Sequence, residues 1–394
     1  MAITDKEKGV WGLDQVYNKI NQGSIWAYSS NLKNLWGWGD NGRGQLGQNN
    51  ETEYSSPVQV GSDATWETLS KASGSEAGWI YARKNDSTLW AIGRNNYGIL
   101  GQNESSNSHR SSPVQIPGNY DGNILSSGSR FTLFSKTEGT LWGVGSNQYG
   151  NLGQNSRTPP PSGISSPVQI PGTNWSQAVG GYLASFALKS DGTYWAWGNN
   201  AYGYGQLGQT DGSQNFSSPV QVGSDTTWSK IPHSIGGSMA AGIRTDGTLW
   251  VWGQGGAYLN KNVSTPYSSP IQIPGTTWES ISIGGMFAVA RKTDATLWAW
   301  GDNEWGQLGQ NTRSANGFSS PVQIPGSWST NYTTKRYGGL AIKTDGTLWS
   351  WGYGNVAGSH GLNNRTAYSS PTQIPGVWDQ VSGGSRNGFA LELK

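Results

Sequence analysis

The chain is constrained most by an internal repeat. The dipeptide Leu-Trp, replaced once by Tyr-Trp, places Trp36, Trp90, Trp142, Trp195, Trp250, Trp298 and Trp349 at intervals of 48 to 55 residues. A second marker, Ser-Ser-Pro, runs in phase with it and places Pro57, Pro113, Pro167, Pro219, Pro270, Pro321 and Pro371. Two independent markers in constant order define seven units. Units of this size bury a continuous core only by stacking on their neighbours. One body is therefore expected, not the two or three domains that a length of 394 residues suggests.

Each unit reads as four short strands. In the sixth copy the first is Thr296 to Gly301, followed by the loop GDNEWGQLGQN and then the strand SSPVQIPG. Proline at that strand's ends is tolerated where no ladder hydrogen bond is needed. The third and fourth strands are clearest one copy earlier, as WESISIGG and MFAVARKT. The fourth turns into the next Leu-Trp strand through Asp191-Gly192, Asp246-Gly247 or Asp345-Gly346. Asp-Gly between apolar runs marks a tight hairpin, because both residues accept a positive φ. Four strands per unit, seven times over, predict an all-β, seven-bladed β-propeller at residues 29–394.

The ends of the repeat are partial and complementary. The last residues, WDQVSGGSRNGFALELK, supply a third and a fourth strand and stop, while NLWGWG supplies a first. Closure of one blade by both ends follows. Phe389 to Leu393 is expected to be the closing strand, although Trp26 to Ser30 resembles it. The Trp residues sort by phase: Trp38, Trp197, Trp252, Trp300 and Trp351 lie two positions after the Leu-Trp marker, and Trp66, Trp175, Trp228, Trp278, Trp328 and Trp378 open the third strand. Phase-locked Trp is expected to fill the core and the contacts between blades.

Residues 1–28 stand outside the repeat. Asp14 to Gln22 has the pattern of a short helix, and Leu13, Val16, Tyr17 and Ile20 form one apolar stripe beside Trp11. The stripe must bury itself, either in its own propeller or on a partner, so the segment is read as an attachment segment.

Composition removes several chemistries. There is no cysteine, so disulfides and thiolate metal sites are out. His109, His233 and His360 are the only histidines and fall in different phases. Zinc and nucleophile–base constellations are therefore poorly supplied, and neither catalysis nor a cofactor is expected. Asp40 and Asp302 open loops that lack the alternating carboxylates of a calcium loop. A net charge of +2 without basic runs disfavours nucleic acid. No apolar run reaches the length of a membrane span, and the opening MAITDKEKGVWG lacks the apolar core of a signal peptide.

The runs LWGWGDNGRGQLGQN, TYWAWGNNAYGYGQLGQT and ATLWAWGDNEWGQLGQN resemble the repeat of the regulator of chromosome condensation family. So do the Ser-Pro-Val-Gln strand and the Gly-Gly before the fourth strand, and the resemblance covers residues 31–394. It implies a seven-bladed propeller closed by its termini. The family includes a nucleotide exchange factor for a small GTPase, ubiquitin-ligase subunits and a secreted bacterial β-lactamase inhibitor. The exchange factor's basic tail and long inserted wedge have no counterpart here, so its function does not carry over. The opening GVWGLDQVYNKINQGSIW resembles that of tail and appendage proteins of marine phages.

Chemistry that varies from unit to unit is concentrated in the loop after the Leu-Trp strand. One position there is assigned to Arg43, Tyr97, Tyr149, Tyr202 and Trp305. Blade symmetry would array these in a ring on one face, where aromatics among Asn and Gln suit sugar stacking or a protein contact. Packing of each aromatic on the neighbouring blade is the other reading. The expected function is thus a non-enzymatic virion surface or tail-appendage protein of a bacteriophage. Its loops would bind a host glycan, a receptor or another virion protein, and residues 1–28 would attach it to virion proteins. The alternative is a cellular protein-interaction scaffold, placed in the cytoplasm rather than on a particle.

Overall fold

The Leu-Trp runs become the third strand, counted from the axis, of seven four-stranded antiparallel blades arranged as a seven-bladed β-propeller, one of which gains a short parallel strand from its neighbour. The computed structural model describes residues 32–72, 78–104, 107–158, 162–200, 204–209, 214–254, 266–354 and 357–394. The attachment residues Trp11, Leu13, Val16, Tyr17 and Ile20, the short helix around them and Trp26 to Ser30 lie outside these. Blade 5 shows the pattern: Trp278–Ile283 is innermost, then come Phe287–Lys292, Leu297–Asn303 and Ser314–Ile324. Blades 1 to 4 begin at Trp66, Leu125, Trp175 and Trp228, and blade 6 begins at Trp328. Blade 7 is built from both ends of the repeat, in the order Trp378–Ser382, Asn387–Leu393, Lys33–Gly39, Tyr54–Gln59. Leu35 faces Leu391 and Gly37 faces Phe389 in that sheet, so the C-terminal strand closes the ring as expected.

Burial explains the alternation of residue types. The second strand of a blade is buried on both faces because blades stack face to face, whereas the outer Ser-Ser-Pro strand is only half-buried. The second Trp of the motif is sealed between blades: Trp38, Trp197, Trp252, Trp300 and Trp351 are all at most 1% exposed. The indole N–H groups of Trp38, Trp197, Trp252 and Trp351 donate to a loop carbonyl of the preceding blade at 2.8 to 3.0 Å. Area and a satisfied polar atom thus act at the same place. Trp252→Ala is expected to cost about 3–5 kcal/mol in urea denaturation, the usual penalty for truncating a sealed aromatic. An unchanged midpoint would contradict this packing role.

The first Trp behaves differently. Trp90, Trp142, Trp195, Trp250, Trp298 and Trp349 are half-buried, and each has Lys84, Lys136, Lys189, Arg244, Lys292 or Lys343 over its ring at 3.6 to 4.4 Å. Their indoles donate to the Thr two positions earlier, and in five copies that Thr is held by the turn aspartate, as in Asp246–Thr248–Trp250. Blade 7 breaks the rule, with Glu392 opposite Trp378 where the others carry a cation. Blade 2 lacks the inner Trp, and Tyr120, 1% exposed and edge-on to Phe134, fills that space.

Hydroxyls line the axis. Ser234, Ser282 and Thr334 lie within 2.7 to 3.1 Å of one another across three blades. Ser382 donates to the Ser70 carbonyl at 2.5 Å, and Ser126 receives the Gly180 N–H at 3.1 Å. These five side chains and that of Ser70 are at most 1% exposed, so the ring seals the channel at this level.

Candidate functional site

Two sets of loops share one face of the propeller. One follows the Leu-Trp strand, and the other joins the innermost strand to the second. They are tied together in every blade: the N–H after the third strand donates to the carbonyl before the second, as in Asp302 to Met286 and Tyr353 to Tyr337, at 2.7 to 3.0 Å. Buried asparagines brace the outer loops from within. The side-chain oxygens of Asn41, Asn95, Asn147, Asn200 and Asn303 each accept the N–H of the loop leucine. Gln48, Gln102, Gln154, Gln209 and Gln310 then bind the loop to the outer strand. Loops fixed in this way present their tips as a preformed platform, where recognition residues belong.

A glycine fixes the register of these tips. A Cβ on Gly44 would fall 2.6 Å from Ser111 Cα on the next blade, and one on Gly205 would meet Ser268 Cα at the same distance. The residue before that glycine is Arg43, Tyr97, Tyr149, Tyr204 and Trp305. Tyr204, not Tyr202, therefore holds the fourth place, because blade 3 carries two extra loop residues. Tyr202 itself lies outside the described residues. Arg43 is exposed, and Tyr97, Tyr149, Tyr204 and Trp305 are half-buried, between the two outcomes expected of the ring.

These residues do not form one continuous ring of exposed aromatics. Tyr97, held at φ 66°, pairs with Arg130, whose guanidinium reaches the Tyr97 hydroxyl at 3.3 Å. The Tyr149 hydroxyl accepts from Gln148 at 3.4 Å. Trp305 has the richest surroundings. Its ring lies 4.6 Å from Tyr353, which lies 6.2 Å from Tyr337, and the Arg336 guanidinium lies 5.1 Å from the Tyr337 ring. Met286, 42% exposed, sits on the adjoining inner loop, where the Gly285 N–H donates to the Arg336 carbonyl at 3.1 Å. Trp, Tyr, Arg and Met are the types enriched at protein interfaces. Sequence reasoning reached Trp305 but not Met286, Arg336, Tyr337 or Tyr353. The usable signal was the variable residue just before the second strand.

Reactive side chains, on this face and elsewhere, are occupied. Ser350 and His360 approach to 2.5 Å, but both are fully buried, and the second ring nitrogen of His360 lies 3.0 Å from the Gly352 carbonyl. A hydroxyl–imidazole pair sealed in this way cannot meet a substrate, so it reads as a packed core contact. His109 accepts the Asn95 N–H at 3.1 Å on the loop face. Burial, with Arg43 and Arg94 nearby, holds it below the usual imidazole range. The Asp302 carboxylate is spent within its loop, on the Glu304 N–H and the Gln307 amide. Among the described residues, no helix is long and apolar enough to cross a membrane.

Residues 34–76 and 294–334 match the regulator of chromosome condensation (RCC1) repeat. The RCC1 domain-containing protein RUG3, mitochondrial, of Arabidopsis thaliana is 29% identical over 225 residues, covering 55% of this chain and 48% of that protein. The ultraviolet-B receptor UVR8 of the same plant is 26% identical over 219 residues, with the same coverage of 55% and 48%. The chain thus spans about half the length of these relatives. Among solved structures, Prp20p from Saccharomyces cerevisiae superposes with a TM-score of 0.78 at 17% identity, covering 92% of each chain. Human WBSCR16 gives 0.77 at 18% identity over 91% of this chain and 98% of its own. These superpositions establish the fold.

Proposed function

We propose that this chain, a seven-bladed propeller built from regulator of chromosome condensation repeats, is a non-enzymatic protein-interaction scaffold that docks a partner on its loop face. The cluster of Trp305, Tyr353, Tyr337, Arg336 and Met286 carries this reading. It places interface-forming side chains on loops already braced by hydrogen bonds, so little ordering entropy is lost on binding. Arg43, Tyr97 and Tyr149 would extend the contact around the same face. The study of Prp20p concerns its binding to Gsp1p and histones, which sets a precedent for partners on this fold. RUG3 and Prp20p are cellular proteins, which favours a cellular scaffold over a virion appendage. The virion role rests on opening residues that lie outside the described part of the chain.

A photoreactive residue at Met286 should capture a protein partner from native extract, and one at Val377, 53% exposed on the opposite face, should not. The double substitution Trp305→Ala, Tyr353→Ala should lower capture at least about tenfold, as loss of a central aromatic pair does. Equal capture from both positions, or capture indifferent to the double substitution, would sink the proposal.

A further inference from the structure

The propeller axis holds a concavity on the face away from the loops. It is a cavity of about 390 Å3, in the size range of small-molecule sites. Lys71 of blade 1, Asn123 of blade 2, Lys230 and His233 of blade 4 and Glu279 of blade 5 contribute to its wall. Most innermost strands run from a tryptophan toward the loop face, and the lining residues fall mostly near the strand starts. The sealed hydroxyl ring closes the far end, since Ser280 lines the cavity and Ser282, two residues on, is fully buried. The cavity is therefore a blind funnel, not a pore.

Irregular strands create its chemistry. In blade 1 the innermost strand leaves its own sheet after Leu69, and Lys71–Ala72 pairs parallel with Leu125–Ser127 of blade 2. In blade 4 it stops at Lys230, and Ile231-Pro232 leads on to His233, whose N–H donates to the Ile281 carbonyl at 2.7 Å. Blades 1 and 4 lie across the axis, so two lysines enter one funnel from opposite sides. Among the described residues no carboxylate pairs with either. Glu279 is committed to Arg291, and Glu67 at the matching place in blade 1 is committed to Arg83. Lys71 has open surface, but that surface faces the funnel, where the encircling blades still remove most of its water. This burial, and then the charge of Lys230, push its pKa down. His233, its ring centred 5.0 Å from that of Tyr332 and tilted against it, is held neutral chiefly by burial and then by Lys71. Two like charges kept together without a counter-ion destabilise the fold, and that pattern marks binding sites more than packing.

We propose that this axial funnel binds a small multivalent anion, an organic phosphate or a polycarboxylate, bridged between Lys71 and Lys230. A small ligand fits a blind cavity, whereas a nucleic-acid strand needs an open track with many more cations. Several charges on one ligand satisfy lysines that approach from opposite blades. The site is separate from the loop face, so it stands or falls independently of the scaffold reading.

Calorimetric titration of the whole chain with pyrophosphate and with citrate, at about 150 mM salt, tests this. At least one probe should bind one-to-one and saturably. Pyrophosphate alone would point to a phosphate ligand, and citrate alone to a carboxylate. Lys71→Met and Lys230→Met should each weaken binding about tenfold, as loss of a charge-assisted contact does. Neither should lower the melting temperature, because each relieves repulsion. Arg313→Ala, an exposed cation on the outer part of blade 5, should change nothing. In unaltered protein, the bound probe should protect Lys71 and Lys230 from acetylation, a readout that needs no variant. No saturable binding up to about 10 mM, binding that survives the double lysine substitution, or binding lost in Arg313→Ala would each overturn the proposal.

Discussion

Removing Trp378 to Lys394 is expected to abolish the folded state, not to trim it. The deletion takes both inner strands of blade 7 and leaves Lys33–Gly39 as an open edge. An unpaired strand edge with apolar faces invites aggregation. Trp378, Phe389, Ala390 and Leu391 leave the core with it, all at most 4% exposed. Four contacts with the N-terminal strands also go: Lys33 to Asp379 at 2.7 Å, Gln380 to the Glu67 carbonyl at 2.9 Å and to the Leu69 N–H at 3.2 Å, and Ser382 to the Ser70 carbonyl. Losing Trp, Phe and Leu side chains alone costs roughly 10 kcal/mol at the usual rates, comparable to the whole stability of a domain. Circular dichroism and size exclusion should show an unfolded or aggregated chain. A milder probe keeps the strand. Gly388→Val would drive a Cβ to within 2.4 Å of the Trp38 ring, at a cost of about 2–3 kcal/mol. A truncated chain that stays monomeric with unchanged melting would refute closure as the source of stability.

The blade is legible in the sequence because its determinants are local. The Asp-Gly hairpin, the alternating Leu-Trp strand and the outer proline each speak for residues a few positions away, and they repeat. Closure was legible for the same reason, since two partial repeats add up to one whole. What the sequence hid lies between blades. Tyr353 meets Trp305 only after blades 5 and 6 stack, and its own loop departs from the repeat wording, so no phase marker pointed to it. The swap of Tyr202 for Tyr204 has a similar origin: two inserted residues moved the phase, and only the close approach of Gly205 to Ser268 restores it. Lys71 and Lys230 are 159 residues apart and sit where two innermost strands abandon the common pattern. Local irregularity was visible there, but the meeting of two charges across the axis was not.

Lys335 should make this protein more stable as pH rises above neutrality, opposite to what a paired lysine does. It ends the innermost strand of blade 6, 1% exposed, with its ammonium donating to the Ser359 carbonyl on a loop of the same blade. Its buried neighbour His360 is no counter-ion. Burial, and then the charge of Lys335, push that imidazole down to about 3, so it stays neutral. Burial likewise pushes Lys335 from 10.5 down to about 7. Below pH 7 the lysine is charged in both folded and unfolded chains, and the folded state bears the full desolvation cost. Between about 7 and 10.5 the unfolded chain holds a proton that the folded chain has released, so stability climbs by up to roughly 1.4 kcal/mol per pH unit. Urea denaturation at several pH values, compared with Lys335→Met, isolates the effect. The substitution should stabilise the protein most at pH 6, and by pH 9 its advantage should have shrunk by roughly 2–3 kcal/mol, because the natural chain has by then released its proton. Parallel curves for the two proteins would show that Lys335 keeps an ordinary pKa, and an advantage of the Lys335→Met protein that grows at high pH would show that the sign is wrong.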